Sequence, residues 1–85
     1  MRKYELAVVL DSEASAAKKK AVVETVEKLV GTFKGKLDKL EEWKKRESGI
    51  HLFFPLELEP DAAKHLDAKL RLEKNILKYL LIRNG

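Results

Sequence analysis

The sequence predicts an α+β fold. This is a β-α-β-β-α-β ferredoxin-like plait, with a four-stranded antiparallel sheet in the order 2-3-1-4 and both helices on one face. Three observations predict it. Residues 4–10 and 50–58 place large apolar side chains at every second position, as strands with a buried face do. Residues 22–33 and 63–70 carry apolar side chains at helical spacing. Each βα unit must cross over right-handed, which leaves the first strand at the centre of the sheet.

The first strand has Tyr4, Leu6, Val8 and Leu10 on one side and Glu5, Ala7 and Val9 on the other. A strand with one apolar face and one mostly apolar face belongs inside a sheet. Asp11-Ser12-Glu13-Ala14-Ser15 ends it and supplies N-cap chemistry. A helix then runs to about Lys34, with Val22, Val26, Leu29, Val30 and Phe33 in one stripe. Gly31 within it costs about 1 kcal/mol relative to alanine, and Gly35 is expected as the C′ residue that stops it. Residues 36–44 read as a second strand. Leu37 and Leu40 are three apart, so both reach one core only across a bulge, and the many charges suit an edge. Glu47-Ser48-Gly49 is a turn. In the third strand Ile50, Leu52, Phe54, Leu56 and Leu58 alternate with His51, Phe53, Pro55, Glu57 and Glu59. Pro55 lacks an N–H and belongs at an edge or a bulge. Pro60 opens a second helix with Ala63, Leu66 and Leu70 on its stripe. Residues 76–83 fit both a strand and a helix, and periodicity alone leaves both open. The expected core is Tyr4, Leu6, Val8, Val26, Leu29, Val30, Phe54, Leu56, Leu66, Leu70 and Leu81.

Eighty-five residues are read as one domain, 1–85. No apolar run approaches the roughly 18–20 residues that span a bilayer. The absence of cysteine removes disulfides, thiolate metal sites and thiol nucleophiles, and suits a cytosolic protein. The net charge of +4 admits nucleic-acid contact, but a lysine-rich solvated surface explains it equally well. No catalytic constellation is present. His51 and His65 stand outside any motif, the carboxylates are interleaved with lysines, and the glycines form no phosphate loop. No enzyme activity, cofactor or metal is expected. The aromatic signature of an RNA-recognition plait is also missing from the third strand. Two features rise above this background. One is the run Lys44-Lys45-Arg46, with Arg2, Lys3 and Arg83 as further cations. These are candidate phosphate contacts, against the commoner alternative of a solvated turn. The other is the uncovered sheet face, where Ala7, Val9, Phe53, Leu80 and Ile82 would form an apolar patch that suits a partner, against a tolerable scatter of exposed apolar residues.

Residues 1–6 (Met-Arg-Lys-Tyr-Glu-Leu), 41–46 (Glu-Glu-Trp-Lys-Lys-Arg) and 69–83 (Lys-Leu-Arg-Leu-Glu-Lys-Asn-Ile-Leu-Lys-Tyr-Leu-Leu-Ile-Arg) resemble the bacterial small-subunit ribosomal protein six family, in order and over most of the chain. The resemblance implies the same plait, the same odd Leu37/Leu40 spacing and a strand for the tail. It implies no enzyme activity. It further implies binding of small-subunit rRNA beside ribosomal protein eighteen. Arg2, Lys3, Lys44, Lys45, Arg46 and Arg83 would meet phosphates, and Val9, Phe53, Leu80 and Ile82 would meet the protein partner. The isolated chain is expected to be a monomer, placed in the cytoplasm on the ribosome. One departure stands out. Family members continue after Glu-Glu-Trp through Arg-x-Leu-Ala-Tyr-Pro-Ile and a glycine turn, whereas here Lys45-Arg46-Glu47-Ser48-Gly49 leads straight into Ile50. The shortened hairpin, Pro55 and the Lys/Leu/Ala-rich choices leave a second reading open: an engineered derivative of the family, used as a folding or fold-switching scaffold with no biochemical activity.

Overall fold

The computed structural model describes residues 1–45 and 49–84, with side chains except at 44, 45 and 84. The chain runs β1 (Arg2–Leu10), α1 (Ala16–Thr32), β2 (Lys36–Leu37), β3 (Glu41–Lys45), β4 (Gly49–Leu58), α2 (Pro60–Arg71) and β5 (Lys78–Asn84). The strand order is β2-β4-β1-β5, with β3 also paired to β4, and every pairing is antiparallel. This is the expected plait, with its second strand in two pieces.

The break between β2 and β3 is the bulge that the Leu37/Leu40 spacing requires. Leu37 pairs with Leu56 and Glu41 with Phe53, so four steps along the edge span three along β4. The extra residue lies among 38–40, opposite Pro55. Asp38 donates its N–H to the Pro55 carbonyl at 2.8 Å. A residue in an antiparallel strand aims its N–H and C=O at the same neighbour. The nitrogen of Pro55 therefore faces the bulge, where the ladder is already interrupted, and β4 loses no bond to β1. An interior strand tolerates the proline for that reason.

Strand alternation sorts the sheet into two faces. Toward the helices, Tyr4, Leu6, Val8 and Leu10 pair with Leu56, Phe54, Leu52 and Ile50, and all eight are buried. Val22, Val26 and Val30 of α1 and Ala63, Leu66 and Leu70 of α2 close over them. Leu29 and Leu81, expected in the core, are partly buried at its margin. No polar residue is buried among the described residues.

The helix ends follow their capping residues. Ser15 caps α1, its Oγ accepting from the Lys18 N–H at 3.1 Å. Pro60 takes the first turn of α2. The stop of α1 differs from expectation. The helix ends at Thr32, and Lys34, not Gly35, adopts the left-handed conformation (φ 59°). Gly35 donates to the Val30 carbonyl at 2.8 Å and Lys34 to Gly31 at 3.0 Å, a Schellman closure one residue earlier than expected. Gly35 is needed for a different reason. A Cβ there would lie 2.6 Å from the Glu57 carbonyl oxygen and collide with the Leu58 side chain, so glycine lets the chain turn tightly against β4.

The tail is a strand, although its local preferences are divided. Backbone pairing with β1 runs from Lys78–Val9 to Asn84–Lys3. Tyr79 adds a clasp to α2. Its hydroxyl donates to Asp67 Oδ1 at 2.8 Å and accepts from Arg71 Nε at 3.3 Å. The hydrogen bond to Tyr79, and then the nearby Asp67 carboxylate, hold the Arg71 guanidinium above its usual pKa.

Candidate interaction surface

The sheet face away from the helices is not covered by any described element. Its rows are read from the register. Phe53 lies beside Ala7 and Ala7 beside Leu80; His51 lies beside Val9 and Val9 beside Lys78; Pro55 lies beside Glu5 and Glu5 beside Ile82. The expected patch residues Ala7, Val9, Phe53, Leu80 and Ile82 therefore share one face. Leu80 is 57% exposed and Ile82 47% exposed, while Val9 and Phe53 are half-buried among their neighbours.

Trp43 joins them, and sequence reasoning missed it. Without the bulge, Trp43 would share the face of Leu37. The extra residue reverses the alternation, so Glu42 points toward the helices and forms a 3.0 Å ion pair with Lys19 of α1. Trp43 falls on the open face and is 56% exposed. Its ring meets Phe53 edge-on at 6.1 Å, and His51, the cross-strand partner of Trp43, stacks on Phe53 at 6.4 Å. Trp43, Phe53 and Pro55, with Glu5 and Glu41, line a shallow hollow of about 330 Å³.

The cations separate into two groups. Arg2 and Lys3 begin β1, and Arg83 pairs with Tyr4 at the same end of the sheet. Lys44 and Lys45 pair with Ile50 and Gly49 at the opposite end. Eight residue steps along β4, from Glu57 to Gly49, separate the rows of Lys3 and Lys45, about 26 Å along the strand. Arg46 lies outside the described residues, as does most of the Glu47-Ser48-Gly49 turn. Near the first group, a hollow beside the bulge presents Lys3 and Lys36, which Asp38 and Glu57 balance in charge. Among the described residues, no group of three or more His, Asp or Glu could hold a metal, and no helix is long and apolar enough to cross a membrane.

Comparison with known proteins agrees with this architecture. The protein bS6 of the small ribosomal subunit of Beutenbergia cavernae is 33% identical over 95 positions, covering 98% of this chain and 96% of its own. The corresponding protein of Desulforamulus reducens is 27% identical, covering all of this chain and 99% of its own. That alignment spans 94 positions against 85 residues here, so nine positions have no counterpart in this chain. Among solved structures, 30S ribosomal protein S6 of Thermotoga maritima superposes with a TM-score of 0.83 at 20% identity, covering 98% of this chain and 87% of its own. The C-terminal domain of the MgtC protein from Mycobacterium tuberculosis reaches 0.79 at 14% identity over 99% of this chain and 88% of its own, which shows that the plait alone fixes no function. The family profile described as Ribosomal protein S6 matches residues 3–83, and the chain belongs to that structural, non-enzymatic family.

Proposed function

We propose that the chain is a structural protein of the small ribosomal subunit, at work in the cytoplasm, that binds rRNA beside ribosomal protein eighteen. The observation that carries this is the open face of the sheet. Trp43, Phe53, Val9, Leu80 and Ile82 form an apolar and aromatic band across β3, β4, β1 and β5. Large exposed hydrophobics gathered on one face of a small protein suit a protein partner, and the band is assigned to ribosomal protein eighteen.

The cations at the two ends of the sheet are assigned to RNA. Arg2, Lys3 and Arg83 would meet phosphates at one end, and Lys44 and Lys45 at the other; Arg46, outside the described residues, is assigned to phosphate by its sequence alone. With the two groups this far apart, they would engage separate stretches of backbone. Each phosphate neutralised adds roughly 0.7–0.9 to the log–log slope of affinity against salt.

The test is a filter-binding titration against a central-domain rRNA fragment, with and without ribosomal protein eighteen. Binding that steepens with the partner present is expected. Replacing Arg2 and Lys3 by alanine should flatten the salt slope, by about 0.7–0.9 for each phosphate that is no longer neutralised. A chain that binds neither RNA nor partner at low salt would leave the engineered-scaffold reading in place of this one.

A further inference from the structure

We propose that the free edge of β5 is a self-association surface, pairing with β5 of a second copy around a two-fold axis at Leu81. Among the described residues β5 is the end strand of the sheet and bonds only to β1, so one side of its backbone has no strand partner there. It is seven residues long, about 23 Å, and contains neither proline nor glycine. Its charges stand near its ends, at Lys78 and Arg83, with Tyr79-Leu80-Leu81-Ile82 between them. An edge of this kind is a template for another strand.

The sequence of β5 selects a second copy as the occupant. Antiparallel pairing about a two-fold axis normal to the sheet keeps both helix layers on one side, and it pairs residues of the same face. The only such register that uses all seven residues places Leu81 opposite Leu81. It sets Lys78 opposite Asn84, Tyr79 opposite Arg83 and Leu80 opposite Ile82. No cation then faces a cation, and each arginine meets an aromatic ring. Leu80 and Ile82, both exposed on the open face, cover one another twice across the axis. In this register no like charges are opposed, and the apolar pair Leu80 and Ile82 meets its own copy. A single seven-residue strand pair is small beside a standard interface, so the dimer is weak and exchanges with monomer. The sequence alone points to a monomer; the unguarded edge is the reason to expect more.

Sedimentation equilibrium of the intact chain tests this, from micromolar to millimolar concentration. The mass should rise from 9.7 kDa toward twice that value. Leu80→Lys combined with Ile82→Lys sets lysine opposite lysine at both symmetry-related positions and should hold the protein monomeric throughout. Leu80→Lys combined with Ile82→Glu sets lysine opposite glutamate and should restore the dimer. Both side chains are exposed, and far-UV circular dichroism confirms that each variant folds. A wild-type chain that stays monomeric at millimolar concentration overturns the proposal. So does a double-lysine variant that still dimerises, or a Lys/Glu variant that does not. Protection of β5 amides only on adding ribosomal protein eighteen would give the edge to that partner and also overturn it. None of these readouts depends on RNA binding, so the ribosomal assignment stands or falls separately.

Discussion

The two edges of the sheet are built on opposite plans. The β2/β3 edge is short, broken by a bulge and charged, with Lys36, Asp38, Lys39, Glu41 and Glu42 along it. Glu42 is also tied to Lys19 of α1. These are the devices that keep an edge from recruiting strands. The β5 edge has none of them in its middle. It is continuous and apolar, and a side-chain clasp at Tyr79 fastens it to α2. The difference teaches where stability and adhesion reside. The first edge gives up regular hydrogen bonding and is held through burial of Leu37 and Leu56 and a tight corner at Gly35. The second keeps its register, and its stability rests on pairing with β1 and on Tyr79 and Leu81 at the core margin.

The largest effect that tests this contrast is truncation beside each edge. Leu56→Ala, at a position 3% exposed, should cost about 2–5 kcal/mol. Leu81→Ala, at the partly buried margin, should cost about 1–2 kcal/mol. Urea melts with unchanged slope measure both, and equal losses would erase the distinction between the edges. Gly35→Ala is next, at about 1–3 kcal/mol, because a new methyl group has to displace β4 or α1. A neutral result would show that the corner is loose. Tyr79→Phe should cost about 1 kcal/mol by removing the clasp, and should raise amide exchange in β5 before other strands. A uniform rise across the sheet would instead assign the hydroxyl a global role. The smallest effect is a gain. Lys34→Gly should stabilise the chain by about 0.5–1 kcal/mol, as the left-handed strain of lysine outweighs the greater entropy loss of glycine. A loss would mean that the lysine side chain makes a stabilising interaction there.

Much of this architecture was legible in the sequence because β1 and β4 alternate without a fault. Tyr4 to Leu10 and Ile50 to Leu58 announce their buried face residue by residue, and the stripes of α1 and α2 supply the cover. The bulge was legible too, since Leu37 and Leu40 fit no other strand geometry. Its consequence for Trp43 was harder to see. A shift of one residue turns every later side chain to the other face, so placing Trp43 required knowing where the extra residue fell. The helix stop was misplaced for a similar reason. Glycine is the ordinary left-handed residue, but here close approach to Glu57 and Leu58 claims Gly35 and leaves Lys34 to bear the unfavourable angle. The tail could not be decided locally. Lysine and leucine there favour helix, and only the open side of β1, distant in sequence, makes it a strand. For the candidate surface, residue types identified the patch and the cations, but the separation of those cations along β4 comes from register.

The pairing of Pro55 with the bulge also constrains how the chain can change length. Removing one residue from 38–40 would restore an even ladder and present β4 with an edge that expects a donor at position 55, where the imino ring has none. Replacing the proline alone would supply a donor to a place where the ladder does not ask for one. A one-residue deletion in the edge therefore becomes acceptable only in company with a change at Pro55. Two positions far apart in sequence are in this way locked to a shared mutational path, and a library varying both should return the deletion and the lost proline together.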